Sequence, residues 1–430
     1  MKFTAAGDII IQRRIPEDFE GYSELAPFIL EGDASFFNLE TTLNYEGECP
    51  SSQLSGGTYI RVEPEVLEDI KSFGFNMTTA NNNHALDFSY EGLYATIDAL
   101  NKSGLVHAGL GMNLAEASAP KYLDTKNGRV ALISVNATFD EYMLAGEQTS
   151  RVPGRAGING LRTDTTLVVD REDIDAIKSI AKKTGINAYN DIIRREGYLT
   201  DLPDNVAELG KMRFIAGDKP ECRVTLNPKD MERIEKSIEE AAFQADYVLV
   251  SIHSHELSGD AKETPAEFLK EFAHRVIDCG AHAVIGHGPH LLRPIEVYKE
   301  RPIFYSLGDF ALELYNVSFA PEEFFQKYGL SAANNTVYEL LKLRSKNFTC
   351  GLMEDRRMVM AVIPLWEMED GVLKSLKLMP IEAKMKGNKS EIGLPRRSDG
   401  RDIAEYLGNM CRSYGTKLEL GDDGIITVTW

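Results

Sequence analysis

The sequence predicts an α/β fold in which a layered sheet carries helices on both faces. Short apolar runs alternate with segments of helical periodicity, which is the pattern of a sheet covered by helices. The composition, 43% hydrophobic and 26% charged over 430 residues, supplies apolar material for a large core. Several apolar runs also end in a carboxylate, an amide or a histidine, and this third observation predicts where a functional site lies.

The first half of the chain alternates predicted strands and helices. Residues 64–73 have helical spacing because Val66, Ile70 and Phe73 fall on one face. A second helix, over residues 90–103, ends at Gly104, a residue type that favours helix C-termini. The predicted strands of this half are residues 2–6, 34–37, 76–80 and 129–135.

The same alternation resumes in the second half. Helices are predicted over residues 230–244 and 265–279, and Gly280 ends the second of them. The predicted strands are residues 247–252, 281–285 and 302–306.

The alternation of predicted strands and helices also indicates the domain organisation. Residues 1–320 form a core domain, interrupted by an insertion at about 140–228 that contains helices over 171–183 and 188–195. Residues 321–430 form a C-terminal α+β extension packed on the core. Its predicted elements are a helical piece over 322–343, a β-hairpin of 358–366 and 372–379, a loop over 384–398 that is a candidate to lie over the site, a helix over 401–413 and a strand over 424–429.

Six of the predicted strands end in groups that can ligate a metal or form hydrogen bonds. Ligands of open α/β sheets bind at the carboxyl ends of the strands, so we expect these groups to lie close together. Five of the 8 histidines fall at such ends. The mixture of carboxylate, amide oxygen and imidazole suits Mn, Fe or Zn better than Mg or Ca, which predicts one or two divalent ions. The groups are Asp8, Glu40, Asn83 with His84, His253 with His255, His287 with His290, and Asp309.

Each of these residues also has a purely structural interpretation. Asp8 follows a glycine and can cap a turn, and residues 81–83 are a turn-forming run of asparagines. Glu40 can begin a helix or lie at the surface, and His287 and His290 can be incidental to a Gly-Pro turn. The clustering of the six ends favours the site.

The strand-end residues lie in five ordered motifs. These motifs resemble those of the CapA family, which is named for bacterial poly-γ-glutamate capsule synthesis and is related to the calcineurin-like metallophosphatases. The resemblance covers about residues 1–312. The motifs are Gly7-Asp8-Ile9, Asn38-Leu39-Glu40, Ala80-Asn81-Asn82-Asn83-His84-Ala85-Leu86-Asp87, Ile285-Gly286-His287-Gly288-Pro289-His290 and Tyr305-Ser306-Leu307-Gly308-Asp309-Phe310.

The resemblance implies a metallophosphatase-like α/β fold with a divalent metal site. It implies that His84 is a proton donor beside the metal and that Asp87 orients it; the residues alone also allow His84 to be a ligand. The implied metal ligands are Asp8, Glu40, Asn83, His253 and His290.

Further residues are predicted to complete the site. His287 is an additional candidate ligand, and His255 either contacts the substrate or ligates the metal. Asp309 contacts the substrate or holds a ligating imidazole, since such rings need an outer partner. Arg155 and Arg162 of the insertion are planar donors suited to a carboxylate or phosphate, or else they balance nearby acids.

The leading functional hypothesis is a metal-dependent hydrolase acting on a phosphoester or a γ-glutamyl-type amide of a small or oligomeric anionic substrate. The alternative is a non-catalytic polymer-binding or assembly factor in poly-γ-glutamate capsule biosynthesis. Ile10 and Gly288 favour this alternative, because they stand where metallophosphatase-like sequences usually carry further histidines. A dinucleotide-dependent oxidoreductase is disfavoured, since no G-x-G-x-x-G follows the first strand.

Charge and composition exclude other classes. A net charge of −19 argues against nucleic-acid binding, which needs basic surface. No apolar run approaches the length of a bilayer span, so we expect no membrane insertion and a cytoplasmic location. The 5 cysteines form no C-x-x-C pair, which disfavours both a zinc knuckle and a disulfide framework.

Overall fold

A computed structural model describes residues 1–314, 316–351 and 354–430. These residues divide into two compact units. The first unit comprises Met1–Leu161 and Glu232–Trp430, and the second comprises Arg162–Met231. Among the described residues, no helix combines the length and the apolar character needed to cross a bilayer.

The described residues form 24 strands and 11 α-helices. The strands are β1 (Lys2–Ile10), β2 (Ala34–Leu39), β3 (Thr42–Leu43), β4 (Arg61–Val62), β5 (Met77–Thr79), β6 (Val106–Ala108), β7 (Leu110–Gly111), β8 (Lys121–Thr125), β9 (Gly128–Asn136), β10 (Gly157–Ile158), β11 (Thr163–Val169), β12 (Val206–Leu209), β13 (Met212–Ala216), β14 (Glu221–Leu226), β15 (Tyr247–His253), β16 (Ala283–His287), β17 (Leu292–Tyr298), β18 (Arg301–Leu307), β19 (Asp309–Leu312), β20 (Met360–Glu369), β21 (Val372–Ala383), β22 (Pro395–Arg397), β23 (Lys417–Leu420) and β24 (Ile426–Thr429). The helices are α1 (Gly21–Ile29), α2 (Val66–Lys71), α3 (Ser89–Ser103), α4 (Leu114–Ser118), α5 (Arg171–Thr184), α6 (Ala188–Arg195), α7 (Pro228–Gln244), α8 (Glu267–Asp278), α9 (Glu322–Gln326), α10 (Val337–Arg344) and α11 (Arg401–Cys411).

The first large sheet has the order β23-β24-β21-β20-β1-β2-β5-β6, with β19 beside β1 and β22 beside β21. Strands β1, β2, β5 and β6 run parallel, so their carboxyl ends meet at one edge. In this register Asp8 lies beside Asn38 on one side and beside Asp309 on the other.

The second large sheet has the order β17-β18-β16-β15-β9-β8. Its strands β9, β15, β16 and β18 are parallel. His253 and His287 are paired in register at the carboxyl ends of β15 and β16, which brings two predicted ligands side by side.

The two sheets pack face to face. Side chains of both sheets, such as Phe36 and Ile285, share one core cluster, whereas Phe37 joins a second cluster with Leu25 and Leu93 of the outer helices. Neighbouring residues of β2 thus point to opposite faces, as the two-residue period of a strand requires. On the outer face of the other sheet lies α8, whose buried residues include Leu269 and Ala273. The predicted layered α/β fold is confirmed, with helices outside a pair of sheets.

The C-terminal region extends the first sheet. Strands β20 and β21 form an antiparallel hairpin, and β20 pairs with β1, where Phe3 faces Trp366. The predicted hairpin is therefore present. The predicted helical piece over 322–343 is instead two helices, α9 and α10, with Gly329 between them at a φ of +71°. The predicted loop over 384–398 contains β22, which pairs with β21.

The second unit contains the predicted helices α5 and α6 together with a four-stranded sheet of order β12-β13-β11-β14. Only Ile174 and Ala181 of α5 are fully buried, so its apolar face is short. The prediction of a helical insertion missed this sheet, because its strands are short and mostly solvent-exposed. Residues 140–161 belong to the first unit, where β10 pairs with β7.

Candidate metal centre

The carboxyl edges of both large sheets bring the predicted ligands into one buried cluster. Asp8 lies near the end of β1 and Glu40 directly follows β2, while His253 ends β15 and His287 ends β16. A turn after β5 adds Asn83 and His84, the loop between β16 and β17 adds His290, and Asp309 begins β19. The exposed fractions of these eight residues range from 0% to 7%.

Glu40 lies at the centre of the cluster. Within the described part of the chain, neither of its carboxylate oxygens has a hydrogen-bond partner. Its Oε1 lies 3.8 Å from the Nε2 atoms of three histidines, His84, His253 and His290. Burial, reinforced by the nearby Asp8 carboxylate, raises the pKa of Glu40 well above its usual value. A buried carboxylate without donors is costly unless a cation compensates it.

Asp8, His290 and Asp309 form one side of the cluster. The Asp8 carboxylate accepts hydrogen bonds from Asn38 Nδ2 at 2.6 Å and from the Gly288 backbone N–H at 2.8 Å. His290 Nδ1 lies 3.0 Å from Asp309 Oδ1 and 3.9 Å from Asp8 Oδ2. Burial and the adjacent Asp309 raise the pKa of Asp8 to about 6. Two buried carboxylates thus lie beside one buried imidazole.

The other side of the cluster is built from imidazoles and one amide. His253 Nε2 lies 2.8 Å from Asn83 Oδ1 and 3.1 Å from His255 Nε2. Its Nδ1 lies 2.9 Å from His287 Nδ1, and His287 Nε2 lies 2.7 Å from Ser251 Oγ. Burial lowers the pKa of His253 and His255 well below the usual value and that of His287 to about 3. Burial therefore favours neutral imidazoles, the form that ligates metals.

His84 is held by Asp87 rather than by another imidazole. Its Nδ1 lies 2.7 Å from Asp87 Oδ2. The same carboxylate accepts the backbone N–H groups of Gly56 at 3.1 Å and Ile60 at 3.0 Å. The Nε2 of His84 is left facing Glu40. This geometry fits the predicted pairing of a proton donor with an orienting carboxylate.

The donor set fits one or two divalent ions. The partnerless oxygens of Glu40, together with Asp309 Oδ2, are buried acceptors that a cation would satisfy. Three overlapping groups of side chains each present ligand atoms within 4.8 Å of one another. These groups are Asp8 with His253 and His287, Glu40 with His253 and His255, and Asp8 with His290 and Asp309.

A cavity of about 410 Å³ opens over the cluster. Its volume falls in the range of small-molecule sites. His84, His255 and His290 reach it from the cluster, and Lys262 and Arg344 are its charged lining residues. Apolar side chains line much of the remainder, including Ile10, Ile60, Leu257, Leu314, Leu341 and Phe348.

The two arginines predicted to bind substrate make other contacts. The Arg155 guanidinium donates to the Leu144 carbonyl at 3.2 and 3.0 Å, and Arg155 is absent from the cavity lining. Arg162, in the second unit, donates to both carboxylate oxygens of Asp230 at 2.8 and 2.9 Å. Their contact with substrate stays a prediction.

Several residues of the site were not predicted from the sequence. Asn38 holds Asp8, and Asn82 donates to Asn38 Oδ1 and accepts the backbone N–H of His84. Both asparagines lie inside the quoted motifs, so their positions were a usable signal. Lys262 and Arg344 lie outside every motif, and no local pattern marks them as lining residues.

Gly288 has a structural explanation in this chain. Its φ is +117°, a conformation that a side chain disfavours, and its N–H is the donor to Asp8. A β-carbon at this position would lie 3.1 Å from the His253 ring. The glycine therefore supports Asp8 and makes room for His253. Ile10 lines the cavity as an apolar side chain.

Fold and site together define an α/β protein of two facing sheets with a cluster suited to a divalent metal at the strand ends. The family model described as "Bacterial capsule synthesis protein PGA_cap" matches residues 2–313. The chain belongs to this family, which confirms the resemblance to CapA proteins.

Individual relatives span most of the chain. The uncharacterized protein y4sH of Sinorhizobium fredii is 29% identical over 97% of this chain and 91% of its own length. The capsule biosynthesis protein CapA of Bacillus anthracis is 22% identical, covering 73% of this chain and 60% of its own. A probable polyglutamine synthesis accessory protein of Mycobacterium tuberculosis is 26% identical, covering 64% and 55%.

Solved structures resemble the chain more distantly. A hypothetical protein from Thermus thermophilus has a TM-score of 0.40 and 12% identity, covering 89% of this chain and 99% of that one. A putative 5'-nucleotidase from Staphylococcus aureus, in complex with alpha-ketoglutarate, has a TM-score of 0.38 and 11% identity, covering 91% and 56%. The family assignment rests on the sequence match.

Proposed function

We propose that the protein is a divalent-metal-dependent, metallophosphatase-like hydrolase. Its substrate would be a small or oligomeric anion containing a phosphoester or a γ-glutamyl-type amide. The observation that carries the proposal is Glu40, a fully buried carboxylate that accepts no hydrogen bond from any described residue and whose Oε1 lies 3.8 Å from three imidazole nitrogens. Such an arrangement is costly unless it serves to bind a cation.

The residues that would hold the metal are those whose donor atoms converge. They are oxygen and nitrogen donors, which suits Mn, Zn or Fe. A bound divalent ion supplies a Lewis acid that polarises the scissile group and lowers the pKa of water at the site. The proposed ligands are Asp8, Glu40, Asn83, His253 and His290, with His255, His287 and Asp309 beside them.

His84 would carry the proton for the leaving group. Asp87 accepts from Nδ1, so the second nitrogen, Nε2, is the one directed to the cluster. His84 also lines the cavity in which the substrate would sit. A positioned imidazole that donates a proton contributes about 10²–10⁴-fold to such reactions.

The cavity would orient the substrate and exclude water. Lys262 and Arg344 present positive charge to an anion, although the chain as a whole carries a net charge of −19. Apolar side chains such as Leu341 and Phe348 form its wall. The restricted volume favours a small molecule or the end of an oligomer over the middle of a long polymer.

The proposal is tested by activity of the metal-reconstituted protein. The chain is stripped of metal, reloaded separately with Mn, Zn or Fe, and assayed against phosphomonoesters, phosphodiesters and γ-glutamyl peptides. We expect one class to be hydrolysed, with activity that depends on the metal and is lost in Glu40→Ala. Absence of hydrolysis by every reloaded form, with metal bound, would reject the hydrolase.

A non-catalytic role in poly-γ-glutamate synthesis is the second candidate. It is favoured by the name of the Mycobacterium tuberculosis relative, a probable polyglutamine synthesis accessory protein. Under this alternative the protein binds γ-glutamyl oligomers without cleaving them. Equilibrium binding of a labelled oligomer, followed by chromatography of the recovered oligomer, separates the two functions.

A further inference from the structure

The cavity over the metal centre has a wall that comes from outside the family match. The match ends at residue 313, whereas Leu341, Arg344, Ser345 and Phe348 line the cavity. The shared part of the chain therefore supplies the metal-binding cluster, and α10 with the residues after it supplies one side of the space above it. Wall residues outside the part of the chain that matches the family model are suited to selecting among substrates.

Arg344 is held in a defined position on this wall. Its Nη1 donates to Thr58 Oγ1 at 2.5 Å, and its guanidinium lies 5.8 Å from the centroid of the Phe324 ring. Thr58 belongs to the same loop as Gly56 and Ile60, whose N–H groups bind Asp87. The guanidinium is thus anchored to the loop that surrounds the carboxylate of the His84–Asp87 pair.

Lys262 supplies a second positive charge to the same cavity. Throughout the described ranges, no carboxylate forms an ion pair with its ammonium group. Lys262 lines the cavity together with His255 and His290 of the imidazole cluster. The lining contains no Asp or Glu among the residues described, although the chain has 66 acidic residues.

We propose that Arg344 and Lys262 bind a second anionic group of the substrate, a carboxylate or phosphate separate from the group that reacts, while Leu341 and Phe348 contact an apolar linker between the two groups. This inference rests on the proposed function, because it assigns the reacting group to the metal centre. It names the substrate class as small molecules or oligomer ends with two anionic groups. Guanidinium and ammonium groups are the usual partners of such anions.

The test compares ligands that differ only in the second anion. The straight-chain dicarboxylates from malonate to adipate are each paired with the monocarboxylate of equal carbon number. Dissociation constants are measured by calorimetry on the Mn-loaded 430-residue chain and on its variants. The variants are Arg344→Ala, Lys262→Ala and the control Lys342→Ala, which removes an equal charge from α10 at an exposed position outside the cavity lining.

We expect one or more dicarboxylates to bind about tenfold more tightly than the matched monocarboxylates, since a hydrogen bond to a charged group supplies an effect of that order. Arg344→Ala and Lys262→Ala should each remove most of this preference, and Lys342→Ala should retain it. Replacing one carboxylate by a phosphonate shows which anion the basic pair prefers. No preference at any chain length, or a preference unchanged in Arg344→Ala, would overturn the proposal.

The outcome is separable from that of the proposed function. Metal content and hydrolysis of p-nitrophenyl phosphate, bis(p-nitrophenyl) phosphate and γ-glutamyl-p-nitroanilide are measured on the same preparations. If metal and hydrolysis are present but the dicarboxylate preference is absent, the proposed anion binding by Arg344 and Lys262 is wrong. The proposed hydrolase function is then retained. If hydrolysis is absent but the preference is present and depends on Arg344, the anion-binding role stands and the hydrolase is wrong.

Discussion

Asp87 Oδ2 lies 2.7 Å from His84 Nδ1 while the same carboxylate accepts the backbone N–H groups of Gly56 and Ile60. One buried carboxylate therefore sets the direction of the imidazole and the path of the loop that borders the cavity. The two residues lie three apart in the NNHALD motif, where a tight turn brings them together. His84 and its neighbour Asn83 thus have different partners, since the Asn83 amide oxygen points to His253.

His84→Ala and Asn83→Ala should differ in which property they lose, the reaction rate or the bound metal. His84→Ala should lose about 10²–10⁴-fold in rate with its metal retained, because a proton donor is removed. The loss should be smaller for substrates with good leaving groups, which need little protonation. Asn83→Ala should instead lose metal and recover part of its activity in excess metal. Metal loss in His84→Ala without a leaving-group trend would make His84 a ligand.

Asp87→Asn tests the orienting role of the carboxylate. The amide keeps one acceptor oxygen, which can still face His84 Nδ1 and the Ile60 N–H, but it puts an NH2 group opposite the Gly56 N–H and loses the charge. We therefore expect about a 10–100-fold lower kcat with unchanged metal content. The control is Asp98→Asn, an acidic residue of α3 whose side chain is 61% exposed. A kcat in Asp87→Asn equal to that of the control would show that His84 needs no such partner.

Glu40→Gln should raise the stability of the metal-free protein and weaken metal binding. In chelator, the variant should be about 1–3 kcal/mol more stable than the parent at neutral pH, because it removes a buried carboxylate to which none of the described residues donates a hydrogen bond. Burial raises the folded-state pKa of Glu40 above 4.5, so ionisation opposes folding. The variant's advantage should therefore vanish below about pH 4.5, where the carboxyl is protonated in both states, and grow as the pH rises.

Added metal should make the parent more stable to unfolding than Glu40→Gln. A metal at 100 times its Kd stabilises the folded parent by about 2.7 kcal/mol, and the variant should gain little. Urea unfolding with and without Mn measures both effects. A parent that gains no stability from any of the three metals, or a variant that gains as much, contradicts the central position of Glu40.

Gly288→Ala should weaken metal binding through strain. The backbone has a φ of +117°, and the new β-carbon would lie 3.1 Å from the His253 ring. We expect the variant to fold, with a free energy of unfolding lower by about 1–3 kcal/mol. Its metal affinity should be reduced about 10–100-fold. Gly415→Ala is the matched control, since its φ is +79° and its β-carbon would enter open space. Equal metal affinity in Gly288→Ala and Gly415→Ala would show that Gly288 does not support metal binding.

The site was largely predictable because its residues follow strand ends. Asp8, Glu40 and His253 each come directly at or after an apolar run. Parallel pairing brings Asp8 and Glu40 to one edge of the first sheet and His253 to the carboxyl edge of the second. The resemblance added the roles of His84 and Asp87, which spacing alone left open. Their geometry agrees with those roles, and the roles themselves stay predictions until tested.

The features of the fold and the site that were not predicted depend on contacts between distant parts of the chain. Phe3 pairs with Trp366, and Arg344 reaches Thr58 across 286 positions, so neither contact leaves a local pattern. Residues 384–398 have the composition of a loop and are a candidate to lie over the site, but none of them lines the cavity. The wall is formed instead by α10 and the residues after it. Local composition identifies a loop without indicating which surface it covers.

The metal content of the purified protein tests the central claim most directly. The chain is purified without chelator, and its Mn, Fe and Zn are measured by plasma mass spectrometry beside Glu40→Ala and the control Lys342→Ala. We predict one or two ions per chain in the parent and in Lys342→Ala, and a clear loss in Glu40→Ala. A content near zero in the parent, unrestored by added Mn, Zn or Fe, would contradict the metal centre.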